Sequence, residues 1–292
     1  MFSLNFVTIA LLTSFVFSGG MPRCRFSHDN KNMVFNEQRF PGDLKVLAEG
    51  SVSPINTSFV GVFRDAETYA ALRAQAVNLP ELKADFFKSN IVIAAFLGER
   101  NTGGYSIATA QQPNGQIRIA EKAPPKDAIV AQMITSPFKL VSMPRNGTPP
   151  VQLSLDERFN QRAQLYRINN GSFTVSGGFA GHTEQYKLVG KLQVMRLAGV
   201  VSIGFAIVSE GASREHSLRD FATGVASGDG VAITRLSRGT LIDSPSGDLT
   251  VHAKFAEKNR LLIDLTTGPV TVPDGYSGKG TIEAGMVAAA AN

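Results

Sequence analysis

The sequence predicts two successive folds: an α+β domain with a mainly antiparallel sheet, then an all-β domain that forms a sandwich or a barrel. The first part alternates strand, strand, helix and further strands. The second part repeats short apolar runs separated by turn-forming residues. Between them, residues 145–150 read RNGTPP, a composition typical of a domain boundary.

The first domain is predicted over residues 38–147 and contains one clear helix. Asp65 supplies a side-chain acceptor for the helix start, and an acidic residue follows in the first turn. Tyr69, Leu72 and Ala76 then recur at the spacing of one helical face. Pro80 is expected to stop this helix, because proline cannot continue the hydrogen-bond pattern.

The centre of the predicted sheet is Ile91–Leu97, an unbroken apolar run with the length of a buried strand. A second strand resumes at Tyr105–Ala110, and Pro113-Asn114-Gly115 closes a tight hairpin because Asn-Gly accepts positive φ angles. The chain returns over Gln116–Glu121 with apolar and polar residues alternating. Further strands are predicted at Leu44–Val52, Phe59–Phe63 and Leu140–Met143.

The all-β domain is predicted over residues 165–285, after a linker at 148–164 and before an alanine-rich tail at 286–292. Ser213–Phe221 is the one segment in it compatible with a helix, and Asn169-Asn170-Gly171 is one of four predicted turns. The other turns are at 176–178, 227–230 and 245–248. The candidate strands are Phe173–Val175, Tyr186–Met195, Val200–Ser209, Val231–Leu236, Leu249–Phe255, Leu261–Leu265 and Pro269–Val272.

The N-terminus has the pattern of an export signal. Phe6–Phe17 is apolar, too short to span a bilayer, and followed by small residues, so residues 1–20 are predicted to be a signal peptide. A buried N-terminal strand or helix is the alternative. Residues 21–37 read as a polar tether, in which Cys24 is free or lipidated. We therefore expect a secreted or periplasmic protein with no membrane span after cleavage.

Composition excludes several classes of function. The formal net charge of the 292 residues is +5, without a block of like charges or basic residues interleaved with aromatics, so nucleic acid is not expected as a partner. The single cysteine, Cys24, cannot form an intrachain disulfide framework or a cysteine-based metal site.

No constellation of residues predicts catalysis, cofactor binding or metal binding. The chain has no G-x-S-x-G or H-E-x-x-H motif. His182 and Glu184 share one face of a strand, but the sequence indicates no third metal ligand. Aspartates in turns usually cap their own backbone, which is the interpretation of Asp229, Asp243, Asp248 and Asp264.

The loop after the central strand contains the candidate binding residues. Gly98 and Gly103 have the spacing of a phosphate loop, but Gly104 and Tyr105 stand where Lys and Ser or Thr should follow. The glycine pair instead permits a sharp or bulged corner. Glu99 and Arg100 read as a solvated pair, or the loop binds a partner. The candidate partner-binding residues are Glu99, Arg100, Asn101, Thr102, Gly103, Gly104 and Tyr105.

The order of these features resembles a known family. After the apolar strand come Gly98, a polar bridge, Gly103-Gly104-Tyr105-Ser106-Ile107, a hairpin, and Ile134-Thr135-Ser136-Pro137-Phe138 before a short strand. Asp85-Phe86 ahead of the central strand fits the same pattern, whereas Tyr69 departs from it mildly. This resembles the PrcB C-terminal domain family of secreted bacterial protease complexes over residues 40–145. The resemblance implies an accessory subunit that assembles with a protease, and no catalytic residues.

Two hypotheses about function follow. In the first, the protein is a non-catalytic secreted or periplasmic accessory protein that binds and stabilises a protease or other cell-envelope partner. In the second, the all-β domain is a small-ligand-binding barrel or a hydrolase with its site in that domain. The family resemblance favours the first hypothesis, although it does not extend over the second half of the chain.

Overall fold

The computed structural model describes residues 44–145, 151–177, 182–210, 217–236, 249–257, 259–267 and 277–287, which all belong to one compact unit, Phe40–Asn292. Most of these residues are in strands. The helices are α1 (Ala66–Arg73), α2 (Phe86–Ser89) and α3 (Glu157–Asn160). The strands are β1 (Lys45–Gly50), β2 (Phe59–Phe63), β3 (Asn90–Phe96), β4 (Ser106–Gln111), β5 (Ile117–Lys122), β6 (Phe138–Pro144), β7 (Leu153–Leu155), β8 (Gln164–Gly177), β9 (His182–Leu197), β10 (Val200–Glu210), β11 (Ser217–Ser227), β12 (Gly230–Leu236), β13 (Leu249–Ala256), β14 (Arg260–Thr267) and β15 (Ser277–Met286).

Four strands of the first part form an antiparallel sheet in the order β1-β6-β3-β2. The apolar run predicted as the central strand lies inside this sheet, and Ile91–Leu97 is buried throughout. A strand that is buried on both faces reads as a continuous apolar sequence. Because β3 pairs antiparallel with both β2 and β6, the prediction of a mainly antiparallel sheet around it is confirmed.

Helix α1 begins where the sequence predicts. The Asp65 side chain accepts a hydrogen bond from the Thr68 backbone N–H at 2.7 Å, which satisfies a donor left unpaired at the helix start. Tyr69 and Leu72 face the core, but the helix ends at Arg73, well before Pro80. In the described residues up to 145, helix is limited to α1 and the single turn α2, so α+β describes this part only weakly.

The predicted hairpin forms a second, smaller sheet in the order β4-β5-β7. Only Gly115 has a positive φ in its turn (79°); Asn114 does not. Strand β7 pairs in parallel with β5 and comes from residues 148–164, which the sequence predicts as a linker. This segment is therefore integrated into the fold, because the Ile119 carbonyl also accepts from the Asp156 N–H at 3.1 Å.

Strands β8 to β15 close into an eight-stranded antiparallel barrel, in the order β10-β11-β12-β13-β14-β15-β8-β9. Of the two predicted all-β architectures, the barrel is the one observed. Its inward-facing residues form one apolar core that includes Phe173, Leu192, Ile203, Val251 and Ile263. An eight-stranded barrel is about wide enough for such side chains to fill its interior.

Two predictions in the barrel are wrong. Of the helix-compatible segment at Ser213–Phe221, the described residues from Ser217 onward belong instead to β11. Leu218 and Ala222 of this strand point into the barrel core, and the strand pairs with β10. The predicted turn at 169–171 lies inside β8 as an irregularity in its pairing with β9. Gly171 permits it, because a Cβ there would lie 2.9 Å from the Leu188 carbonyl oxygen.

The sheet of the first part and the outer wall of the barrel share one apolar core. Met195, Val200 and Phe221 of the barrel pack in the same cluster as the buried residues of β2 and β3. The Val62 N–H donates to Thr223 Oγ1 at 2.7 Å across this junction. The division of the chain into domains at residues 38–147 and 165–285 stays a prediction.

A buried ion pair lies within the same junction. Arg64 Nη2 donates to Asp220 Oδ1 at 2.8 Å, and the two side chains are 7% and 0% exposed. Arg64 Nη1 also donates to the Phe221 carbonyl at 2.9 Å, and the Val151 N–H donates to Asp220 Oδ1 at 3.0 Å. The attraction between the two charges and these hydrogen bonds offset the free-energy cost of removing both side chains from water.

The predicted signal peptide (1–20), the polar tether (21–37), Cys24 and most of the tail lie outside the described residues. The turn at 245–248 and the strand at Pro269–Val272 also lie outside them. Within the described ranges, the structure contains no helix of the length and apolar character needed to cross a membrane.

Candidate partner-binding site

The loop after β3 starts with a glycine that no other residue could replace without rearrangement. Gly98 has φ +72°, and a Cβ there would lie 2.7 Å from the Asn56 carbonyl oxygen. The same carbonyl accepts the Glu99 N–H at 3.1 Å. The loop is therefore held against the segment before β2 from its first residue.

Arg100 is the central side chain of the loop, and the prediction that it forms a solvated pair with Glu99 is wrong. Its Nε and Nη2 donate to Glu121 Oε2 at 3.1 and 2.5 Å. Its Nη1 donates to the Leu97 and Glu99 carbonyls at 3.0 and 2.7 Å. The paired side chains are only 17% and 8% exposed, so the guanidinium is used within the fold.

Glu121 connects this loop to the region after the first sheet. Its backbone N–H donates to Asp156 Oδ2 at 2.5 Å, while Asp156 Oδ1 accepts from the Arg158 and Phe159 N–H groups and caps α3. Arg158 Nε lies 4.0 Å from Glu121 Oε1. The loop, the hairpin and α3 are thus joined by a single polar network.

Backbone hydrogen bonds also join the loop to residues 131–135. Arg100 and Thr135 exchange two of them, at 2.8 and 2.9 Å. The Gly103 N–H donates to the Ala131 carbonyl at 2.8 Å, and Thr135 Oγ1 donates to the Thr102 carbonyl at 2.9 Å. Two irregular segments therefore run side by side and fix each other's course.

The second of these segments exposes apolar side chains. We call residues 129–134 the apolar segment. Ile129 is 104% exposed, Ile134 66% and Met133 51%, although the backbone beside them is fixed. Exposed apolar side chains grouped on one ordered loop are typical of a protein contact surface.

The seven predicted loop residues differ in how accessible they are. Glu99, Asn101 and Gly104 are exposed, whereas Gly103 is buried. The other three, Arg100, Thr102 and Tyr105, are partly buried, and the Arg100 Cζ lies 5.8 Å from the centroid of the Tyr105 ring. The loop thus presents a narrow polar surface beside the apolar segment.

The sequence alone does not assign the apolar segment to the site. In the sequence, residues 131–134 read only as a further apolar stretch. The signal that distinguishes them is their position between Pro125 and Pro137, since prolines lack the N–H that strand pairing requires. Ile129, Met133 and Ile134 are thus apolar residues in a loop.

The chemical candidates of the second half do not converge. The Tyr186 hydroxyl donates to Glu184, and exposed His252 lies opposite Asp264 on the outer barrel wall. The side chain of His182 lies outside the described residues, as do Asp243 and Asp248. In the described part of the chain, no three His, Cys, Asp or Glu residues are grouped as a metal site would require.

Comparison with protein families identifies the segment that holds this site. Residues 91–144 match the family model described as PrcB C-terminal. The resemblance to this family is thereby confirmed, over a narrower range than residues 40–145. The PrcB C-terminal segment runs from β3 to β6 and contains the loop, the hairpin and the apolar segment. A comparison with curated proteins finds no match to the chain.

Proposed function

We propose that this chain is a non-catalytic accessory protein, secreted or periplasmic, that binds and stabilises a protease or other cell-envelope partner. The observation that carries the proposal is the family match, because residues 91–144 include both segments of the candidate partner-binding site. The predicted signal peptide supports export, and the partner is a protein of the same compartment.

The geometry of the site supports binding without catalysis. The loop is already fixed by the Arg100–Glu121 pair and by backbone bonds to Ala131 and Thr135, so its ordering costs little free energy on association. Ile129 and Ile134 provide apolar area that a partner can cover. Exposed Glu99 and Asn101 are placed to form the polar rim.

The barrel is best explained as a structural and positioning element. Its inward-facing residues are apolar and pack against one another, which favours a packed core over a ligand site. Its outer wall supports β2 through the shared core. None of these observations favours the alternative of a small-ligand-binding barrel or hydrolase.

Co-purification from the native exported fraction tests the proposal. The wild-type chain should recover a protease that is identified by mass spectrometry and loses stability when the chain is absent. The variant Ile129→Asp/Ile134→Asp should lose this protease, because it places charges in the middle of the apolar contact. Mass spectrometry of the mature N-terminus checks export in the same experiment.

The control is Val77→Asp, at an apolar residue that is 82% exposed but lies outside residues 91–144. It should recover the protease as well as the wild type does. Equal recovery by all variants would place the contact elsewhere, and a chain that purifies alone would contradict the accessory role.

A further inference from the structure

The outer wall of the barrel carries cationic side chains at one level of its strand register. Strand pairing aligns one residue from each of six neighbouring strands, β14, β15, β8, β9, β10 and β11. In that order the residues are Arg260, Gly285, Arg167, Lys191, Ala206 and Arg219. We call the four cations the basic row.

All four cations point away from the barrel core and are exposed. Their chain neighbours, such as Tyr166 and Ile168 beside Arg167, are buried inside, and successive residues of a strand face opposite sides. The row is therefore a continuous feature of the barrel surface, although its members are far apart in the sequence.

The charges of this row are largely uncompensated. Arg260 pairs with Glu283 at 3.0 Å. Among the described residues, no carboxylate lies within 4.0 Å of Arg167, Lys191 or Arg219. Arg167 stands directly opposite Lys191, and like charges in that position destabilise a strand pair. Folding alone gives no reason for the arrangement.

Apolar side chains lie beside these charges. Leu165 is 46% exposed and precedes Arg167 by two residues on the same face of β8. Val287 is 43% exposed and is held next to it, because its N–H donates to the Leu165 carbonyl at 2.7 Å. The surface thus offers cations and apolar contact side by side.

We propose that the basic row binds an extended acidic segment of a partner polypeptide. Its carboxylates pair with Arg167, Lys191 and Arg219, whose donors suit them, and its apolar side chains contact Leu165 and Val287. From Arg167 to Arg219 the row crosses three strand spacings, about 14 Å along a curved wall. A flexible chain follows this curve, whereas a flat lipid surface meets only the central strands.

This inference goes beyond the proposed function, because the barrel lies outside residues 91–144. Binding of an acidic segment to the basic row does not require the apolar segment. It can be tested on the full chain with a fluorescein-labelled peptide of alternating glutamate and alanine, followed by fluorescence anisotropy. The peptide should bind, added salt should weaken binding, and the matching glutamine–alanine peptide should not bind.

The variant Arg167→Gln/Lys191→Gln/Arg219→Gln should weaken binding of the acidic peptide about tenfold or more. The control Lys45→Gln/Lys83→Gln/Lys254→Gln removes the same charge from exposed positions outside the row and should stay within about twofold of wild type. Melting curves check that both variants are folded.

Two results would overturn the proposal. The acidic peptide does not bind at all, or both triple variants weaken it equally, which would reflect net charge alone. If the peptide does not bind but vesicles of phosphatidylcholine and phosphatidylserine bind through the basic row, the row is assigned to a lipid surface.

Discussion

Single residues decide the course of the loop after β3. Gly98 and Gly104 both have positive φ angles, whereas Gly103 does not. The sequence shows three glycines of equal appearance, and only their surroundings separate the two that are required from the one that is not. Stability should therefore respond differently to the same substitution at neighbouring positions.

Gly104→Ala should destabilise the protein by about 1 kcal/mol or more. Its φ is +84°, and an added Cβ would lie 2.9 Å from the Pro124 Cβ and 3.0 Å from Val130 Cγ1. Gly103→Ala is the matched control, because its Cβ would meet Ala131 at an ordinary 3.5 Å. Urea denaturation of both variants measures the difference, and equal losses would contradict this account.

Tyr69 gives the protein a predicted sensitivity to alkaline pH. Burial raises the pKa of Tyr69 from 10.0 to about 12, although the positive charge of Arg73 opposes this. The unfolded chain releases the phenol proton first, so stability should fall as pH rises from 10 to 12. The loss attributable to Tyr69 reaches about 2–3 kcal/mol at the upper end.

Urea denaturation at several pH values from 9 upward measures this loss. The variant Tyr69→Phe should lack it and show a flatter decline, after an offset for the lost hydrogen bond from the hydroxyl to the Pro80 carbonyl at 2.8 Å. The same slope in both proteins would show that Tyr69 is not the group responsible.

At the scale of elements, local signals succeed where an element is defined by its own sequence. Helix α1 is an example, since a cap and a periodic apolar face define it. Strand β11 is the contrary case, because its residues suit a helix locally and become a strand only by pairing with β10. Substitution of a helix-cap residue should therefore change the stability of the protein by about the contribution of the cap hydrogen bond.

Asp65→Ala should cost about 1 kcal/mol, because it removes the acceptor for the Thr68 N–H at 2.7 Å. Asp85→Ala is the matched control before α2, where the aspartate makes no side-chain cap hydrogen bond and pairs only with exposed Lys88. Its effect should stay within about 0.5 kcal/mol. Thermal melts of the two variants compare them, and a larger loss for Asp85→Ala would refute the cap assignment.

At the scale of the whole molecule, the junction between the first sheet and the barrel is the dominant feature. It combines a shared apolar core with the Arg64–Asp220 pair, which is formed by residues far apart in the sequence. Such a junction should make the two parts unfold together rather than separately.

Asp220→Asn should destabilise the chain by about 3 kcal/mol or more, because it leaves the Arg64 guanidinium buried without a counter-charge. Glu210→Gln is the matched control, since it breaks an ion pair with Lys187 whose side chains are 52% and 70% exposed. That change should stay within about 0.5 kcal/mol. Denaturant unfolding followed by circular dichroism tests both, and similar effects would show that the junction contributes little.

The sequence by itself determined the elements whose signals are local. Neighbouring residues are enough to predict the apolar run of β3, the cap of α1, the hairpin around Gly115 and the turn at 227–230. The order of features that matches the PrcB C-terminal family is also visible in the sequence. Short apolar runs separated by turn-forming residues also predicted the β-rich character of the second half. Each depends on backbone preferences within a few residues.

Only the tertiary structure decided which distant groups meet. Eight strands close into a barrel, and Arg100, predicted to be solvated, pairs with Glu121. Strand register also aligns Arg167, Lys191 and Arg219. Nothing in the sequence groups these three residues, because they lie far apart in a chain whose positive and negative charges are mixed. The physical reason is that pairing, burial and charge compensation depend on separations in space, and strand register brings together residues that the sequence keeps tens of positions apart.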